Sequence, residues 1–179
     1  LSAGQAQDRP AAPSPAEFNT DVSTGCTGCG TGPIFRVRVV TVATGLVNPS
    51  SMAFLPDGQT MLVTERGAGG RLRILRRLVL DPQPVSGVPV ADASIAKRQF
   101  EHLIAVAIHP RFAENRLVYV SYPKTGERGT TLAVARGRLD GNALTDVRDI
   151  FLADAWVSSG AAAFGGKILF GPDGMLYIG

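Results

Sequence analysis

One phrase returns three times along this chain: an apolar strand, a turn built on proline and a second apolar strand. It stands at Met52-Ala-Phe-Leu-Pro-Asp-Gly, Val106-Ala-Ile-His-Pro-Arg-Phe and Ile168-Leu-Phe-Gly-Pro-Asp-Gly. The turn prolines, Pro56, Pro110 and Pro172, lie 54 and 62 residues apart. That period is too long for a solenoid and suits a loop-rich propeller blade. A repeat of this kind fixes an all-β architecture before any single strand is argued. It also directs attention to loops around a central channel, where propellers carry their chemistry.

Local chemistry agrees with the repeat. With 21 glycines, 12 prolines and many Val, Ile, Leu and Thr residues, the chain favours strands joined by tight turns over packed helices. In the first copy, residues 51–55 predict a strand, Pro56-Asp57-Gly58 a turn in which Pro fixes φ and Gly accepts positive φ, and residues 61–65 the returning strand. Arg71-Leu-Arg-Ile-Leu alternates charge with aliphatic as a third strand, and residues 82–89 form a connection. In the second copy the strands are 103–108, 117–122, 130–139 and 144–151, with a turn at Asp140-Gly141-Asn142. The third copy, from Phe164, supplies two strands. A sheet cut there leaves an unpaired edge, so the expectation is an N-terminal part of a longer propeller, about two to three blades.

Residues 1–32 are rich in Ala, Pro, Ser, Gly and Thr without sustained periodicity and read as a disordered leader or tether, with the propeller domain over 33–179. Residues 35–43 alternate and then become apolar, as an edge strand would. The first residues resemble the last part of a secretory signal, with Gly4 and Ala6 placed as at a cleavage site. Export to the periplasm or outside the cell is one reading of them, and a leader with no targeting role is the other. Cys26 and Cys29 form the only thiol pair. Gly30 stands where covalent haem attachment would need His, and two further zinc ligands are missing nearby, so a short-loop disulfide is preferred over a redox role.

A net charge of +3 gives no concentrated basic stripe of the kind that tracks phosphates, and nucleic acid is not expected as a partner. Arg66, Arg71, Arg73, Arg76 and Arg77 form the one basic cluster; its alternation suits a half-exposed strand better than a polyanion patch. No apolar run is long enough to span a bilayer. Oligomeric state is not legible in these residues.

Several phrases in a fixed order carry a family resemblance. They are Ala43-Thr-Gly-Leu-Val-Asn-Pro, Met52-Ala-Phe-Leu-Pro-Asp-Gly, Leu62-Val-Thr-Glu-Arg, Gly70-Arg-Leu-Arg-Ile-Leu, Ile108-His-Pro-Arg-Phe-Ala-Glu-Asn-Arg-Leu-Val-Tyr-Val-Ser-Tyr and Phe164-Gly-Gly-Lys-Ile-Leu-Phe-Gly-Pro-Asp-Gly. From about Arg36 to Gly179 the chain resembles the glucose/sorbosone dehydrogenase family. The resemblance implies a six-bladed β-propeller, exported, that oxidises an aldose sugar or related alcohol with pyrroloquinoline quinone (PQQ) and calcium. It also implies a histidine that takes the hydroxyl proton, because an alcohol does not release its proton unaided near neutral pH and imidazole titrates there.

At two loops the family phrases are altered. Where the family has His-Phe-Gly-Gly-Arg, this chain has Ala163-Phe164-Gly165-Gly166-Lys167, with Ala162 where a polar partner of the base often stands. Alanine accepts no proton, and Lys167 keeps charge without the planar fork of arginine. Where the family has Gly-Gln-Gly-Gly-Leu-Leu, this chain has Gln99-Phe100-Glu101-His102-Leu103-Ile104. Gln99 is one position out of register, which on an extended segment turns a side chain to the other face. His102, beside Glu101, is the candidate replacement acid/base, against a polar rim residue. His109 belongs to the His-Pro turn and is expected to bond nearby backbone. The two histidines, seven apart, do not make a metal pair on one strand face. No metal ligand is assigned in these residues.

Three functions remain open: a PQQ-dependent sugar dehydrogenase with Ala163 at the base position; a non-catalytic propeller that binds a carbohydrate or a partner protein; and a calcium-dependent lactonase on a related scaffold. The last requires carboxylates converging on the channel. Asp57, Asp140 and Asp173 read instead as turn residues.

Overall fold

The computed structural model describes residues 18–20, 37–39, 41–66, 70–88, 103–158 and 164–179. Cα packing divides the chain into two units, Leu1–Val42 and Ala43–Gly179. In the first, β1 (Phe18–Thr20) pairs antiparallel with β2 (Val37–Val39). β1 falls inside the stretch that the sequence presents as a tether, and β2 inside the expected edge strand. Among the described residues no helix is long and apolar enough to cross a membrane.

The second unit contains two complete antiparallel four-stranded meanders and the start of a third. Blade one consists of β3 (Pro49–Phe54), β4 (Thr60–Glu65), β5 (Arg71–Arg76) and β6 (Val79–Leu80), hydrogen-bonded in that order. Blade two consists of β7 (Ala105–Ile108), β8 (Leu117–Gly126), β9 (Gly129–Asp140) and β10 (Ala143–Leu152). The third sheet pairs β11 (Ile168–Phe170) with β12 (Leu176–Ile178). Successive four-stranded meanders packed face to face are the partial β-propeller that the repeat predicts.

The proline turns work as expected from their chemistry. Asp57 Oδ1 accepts the backbone N–H of Gln59 at 2.9 Å and of Thr60 at 2.8 Å, and its Oδ2 accepts the Thr60 hydroxyl at 2.7 Å. Asp173 repeats the device with Met175 N–H at 3.0 Å and the Tyr177 hydroxyl at 2.7 Å. The donors hold both carboxyl groups below the usual carboxylate range, the Thr60 and Tyr177 hydroxyls contributing most. The insert of the middle copy closes as α1 (Phe112–Asn115), a single turn that buries Phe112.

Alternation in the strands builds a core layer on each face of blade two, and a smaller cluster of Met61, Val63 and Leu75 on the other face of blade one. Val118, Val120 and Tyr122 of β8 face blade one and pack with Leu62, Leu72, Ile74, Ala133 and Ala135. Tyr119 and Val134 face the third sheet and pack with Ile104, Ala105, Ala107 and Ile168. Blade two is thus a sheet with both faces dry, which is why Leu117-Val-Tyr-Val-Ser-Tyr reads as a continuous apolar run rather than an alternation.

Candidate functional site

The site is built from the two segments that lead into the inner strands β7 and β11. Both are anchored on one side chain. Ser121, fully buried on β8, accepts the backbone N–H of Ala105 at 3.1 Å and donates to the Gly166 carbonyl at 2.5 Å. A buried hydroxyl costs free energy unless bonded, so this double bond is a specific registration of blade two against the third sheet. Blade one joins the same end: the Ser50 hydroxyl lies 3.2 Å from the Leu103 carbonyl, 3.3 Å from the Ile104 carbonyl and 2.9 Å from Thr64 Oγ1. Ser51 Oγ accepts Val106 N–H at 3.3 Å.

The segment 164–167 is held further by its own backbone. Gly166 N–H donates to the Gly179 carbonyl at 2.6 Å, and Gly179 N–H to the Lys167 carbonyl at 2.9 Å. Gly166 has φ +116°, a backbone conformation that side-chain-bearing residues rarely adopt, so the second glycine of the Phe-Gly-Gly-Lys phrase is favoured by its backbone, while a Cβ would also press on Leu132 Cδ1 at 2.8 Å. The Lys167 side chain is exposed and pairs with no carboxylate among the described residues.

Blade two's outer connection is tied down on the same side. Thr130 and Val157 exchange backbone hydrogen bonds at 3.0 and 2.9 Å, and the Thr131 hydroxyl reaches the carbonyls of Ala153 and Ala155 at 2.7 and 3.1 Å. Arg128 pairs with Asp154 at 3.0 Å and lies 5.3 Å from the centre of the Trp156 ring. These contacts hold residues 153–157 against β9.

Of the residues singled out in the sequence, Gln99, Glu101, His102, Ala162 and Ala163 lie outside the described residues, as do Cys26 and Cys29. What the structure does bring together is the residues that follow each altered loop: Leu103-Ile104-Ala105 and Gly166 meet at Ser121. The serines that join the inner strands were not singled out. Their signal was a lone hydroxyl in an otherwise apolar strand, as at Ser121, and a Ser-Ser pair opening another. Among the described residues no group of three His, Cys, Asp or Glu side chains is placed to hold a metal ion.

His109 sits at the other end of β7 and takes no part in this rim. Its Nδ1 accepts the backbone N–H of Arg111 at 3.0 Å and faces Asn115 Nδ2 at 2.9 Å, while its ring packs with Tyr119 and Phe170. This is the turn histidine the sequence predicts. Accepting at Nδ1 requires that nitrogen to be unprotonated, and desolvation, followed by the Arg111 and Arg136 charges, lowers its pKa below the ordinary 6.5. The unfolded chain then binds the proton more readily than the folded one. Stability is expected to be full above the unfolded value of about 6.5 and to decline as pH falls through it toward the folded value. His109→Asn keeps an acceptor without the titration; melting temperatures between pH 7 and 5 should fall more in the native protein than in this variant.

Comparison with known proteins adds identity to the geometry. The Glucose / Sorbosone dehydrogenase family matches residues 46–179. Aldose sugar dehydrogenase YliI of Escherichia coli is 35% identical over 145 residues, covering 79% of this chain and 37% of that protein. A solved glucose dehydrogenase superposes with TM-score 0.64 at 39% identity, covering 75% of this chain and 40% of the other. The PQQ-bound form of aldose sugar dehydrogenase from Streptomyces coelicolor superposes with TM-score 0.57 at 26% identity, over 77% and 39%. The chain thus spans well under half the length of these relatives. A match running from the start of blade one through the third sheet shows that this chain belongs to the glucose/sorbosone dehydrogenase family.

Proposed function

We propose that the whole protein is a PQQ-dependent, sugar dehydrogenase-like oxidoreductase that acts on an aldose or related alcohol, exported from the cytoplasm, with calcium at the cofactor. The observation that carries this reading is the family match over the blades that form the Ser121 rim. A relative named for aldose oxidation and a neighbour solved with PQQ support it. When bound, the quinone would supply the electron acceptor for hydride leaving the sugar carbon.

The residues of this chain do not complete that site. PQQ carries carboxylates and calls for cations, and the described rim offers Lys167 together with backbone amides. Oxidation of an alcohol calls for a base, and Ala163 stands at the family's position for it. No proton-transfer step is therefore assigned to a residue described here. His102 is the candidate substitute in the sequence, and Gln99 the candidate contact to the quinone.

Ala163 also favours a second reading, a propeller that keeps the scaffold and binds a carbohydrate or a partner protein without turnover. A lactonase is less supported, since Asp57 and Asp173 are committed to their turns. The test is reconstitution of the whole protein with PQQ and calcium, followed by dye reduction across a panel of aldoses. Quinone-dependent reduction with at least one aldose is expected. Quinone binding without reduction would replace this reading by the second.

A further inference from the structure

The ends of the blades away from Gly166 enclose a cleft of about 180 Å³, lined by Leu55, Thr60, Ile74, Arg76, Phe112, Arg116, Leu139 and Gly141. It lies far from the rim described above. Along β9, Val134, which pairs with Ser121 of the rim, and Leu139 in the cleft are five residues apart, on the order of 17 Å of strand. We propose that this cleft binds a small organic monoanion, a carboxylate carried on an apolar body.

Three features define that ligand. The apolar lining, Leu55, Ile74, Phe112 and Leu139, comes from both blades and calls for an apolar body. Arg76 and Arg116 also line the cleft, and their guanidinium groups are held very differently. Arg76 is locked: its Nη1 donates to Asp81 Oδ2 at 2.8 Å and its Nη2 to Asn142 Oδ1 at 2.7 Å, while Asn142 Nδ2 donates to the same Asp81 oxygen at 2.8 Å. Arg116 has a fixed backbone and a loosely held head. Its main chain is left-handed at φ 56°, with N–H to the Phe112 carbonyl and its own carbonyl to Leu139 N–H, both at 2.8 Å. Its Nη1 reaches only to 4.0 Å from Asp140 Oδ1. An exposed ion pair at that distance contributes little, so the guanidinium fork remains available for a bidentate carboxylate.

Charge and size set the rest. Asp81 offsets Arg76 and Asp140 partly offsets Arg116, while Arg77, bonded to Gln59 at 3.0 Å, adds further positive charge nearby. A single negative charge fits that balance. The volume corresponds to about six waters and is below the 300 Å³ or so of pockets for drug-sized ligands, which restricts the body to a ring or a short branched chain. The cleft proposal is independent of the PQQ reading and stands or falls apart from it.

The experiment is calorimetric titration of the full chain with sodium phenylacetate, beside acetate, which lacks the apolar body, and benzyl alcohol, which lacks the charge. Saturable phenylacetate binding is expected, with each control weaker by about tenfold or more. Arg116→Gln should weaken phenylacetate by about tenfold. Gly141→Asp provides a second variant: a Cβ there meets nothing within 4 Å, and the left-handed φ of +56° is strained for a side chain but visited by Asp more readily than by most residues, so a negative charge is added beside the cleft without a clash. It too should weaken binding. Absence of saturable phenylacetate binding, equal binding of all three probes, or unchanged affinity in both variants would overturn the proposal.

Discussion

Ala163→His is expected to raise quinone-dependent aldose oxidation by the whole protein by about 10²–10⁴-fold, the ordinary contribution of a positioned general base. The argument starts from the alcohol, whose proton must leave as hydride departs and which holds that proton tightly near neutral pH. An imidazole accepts it because its pKa lies close to the working pH. Position 163 is three residues before Gly166, whose carbonyl is bonded to Ser121 and whose N–H is bonded to Gly179. The introduced ring would therefore rise from a segment whose downstream end is fixed on blade two. Ala163→Gln, similar in reach but unable to take a proton, should give no comparable gain. Steady-state dye reduction at saturating quinone checks both variants. Equal rates in the native protein and in Ala163→His would mean that position 163 does not limit turnover.

Glu65→Leu is expected to destabilise the protein by about 3–5 kcal/mol, as breaking one side of a buried ion pair does. Glu65 closes β4 at 1% exposure. Its Oε1 accepts Val47 N–H at 2.8 Å, and its Oε2 stands 3.0 Å from Arg71 Nε and 3.5 Å from Arg73 Nη1. The arginine contacts are ion pairs rather than aligned hydrogen bonds, since Oε2 finds no hydrogen-bond donor in good geometry among the described residues. Arg71 is nearly half exposed and loses little when the carboxylate goes. Arg73 is the costly partner: its side chain is 9% exposed, and its Nη2 donates to the Asp81 carbonyl while Nε has no hydrogen-bond partner among the described residues. Urea unfolding of Glu65→Leu, Arg73→Met and the double variant separates the terms. The double variant should recover most of the loss, because an apolar pair of similar volume carries no unpaired charge. Equal losses in the single and double variants would place the effect in Val47 and the backbone instead.

The fold was legible where turns carry chemistry. Pro56-Asp57-Gly58 and Pro172-Asp173-Gly174 announce themselves because proline presets φ, aspartate binds backbone ahead of it and glycine accepts positive φ. The turn between β5 and β6 does not: Arg77 and Leu78 adopt φ 50° and 64° with no Gly or Asn to signal it, so the two-residue strand Val79–Leu80 went unforeseen. The Ala-Glu-Asn insert showed as extra length, but its helical turn depends on burial of Phe112, a tertiary effect. The rim divides in the same way. Ala163, Gln99 and His102 stand out by departure from family phrases, which needs no structure. Ser121 is visible only once three strands meet around it, because a hydroxyl in an apolar run is unremarkable until its two partners, 16 residues before and 45 residues after it, are in place.

The pH dependence of aldose oxidation by the native protein, measured from pH 5 to 10 with quinone saturating, tests most directly the claim that this chain keeps the dehydrogenase scaffold without its histidine base. The account predicts a rate that rises steadily with pH, with no inflection near the ordinary histidine value of about 6.5, and an inflection that appears in Ala163→His. An inflection near that value in the native protein that disappears in His102→Ala would contradict it, and would identify His102 as a relocated base.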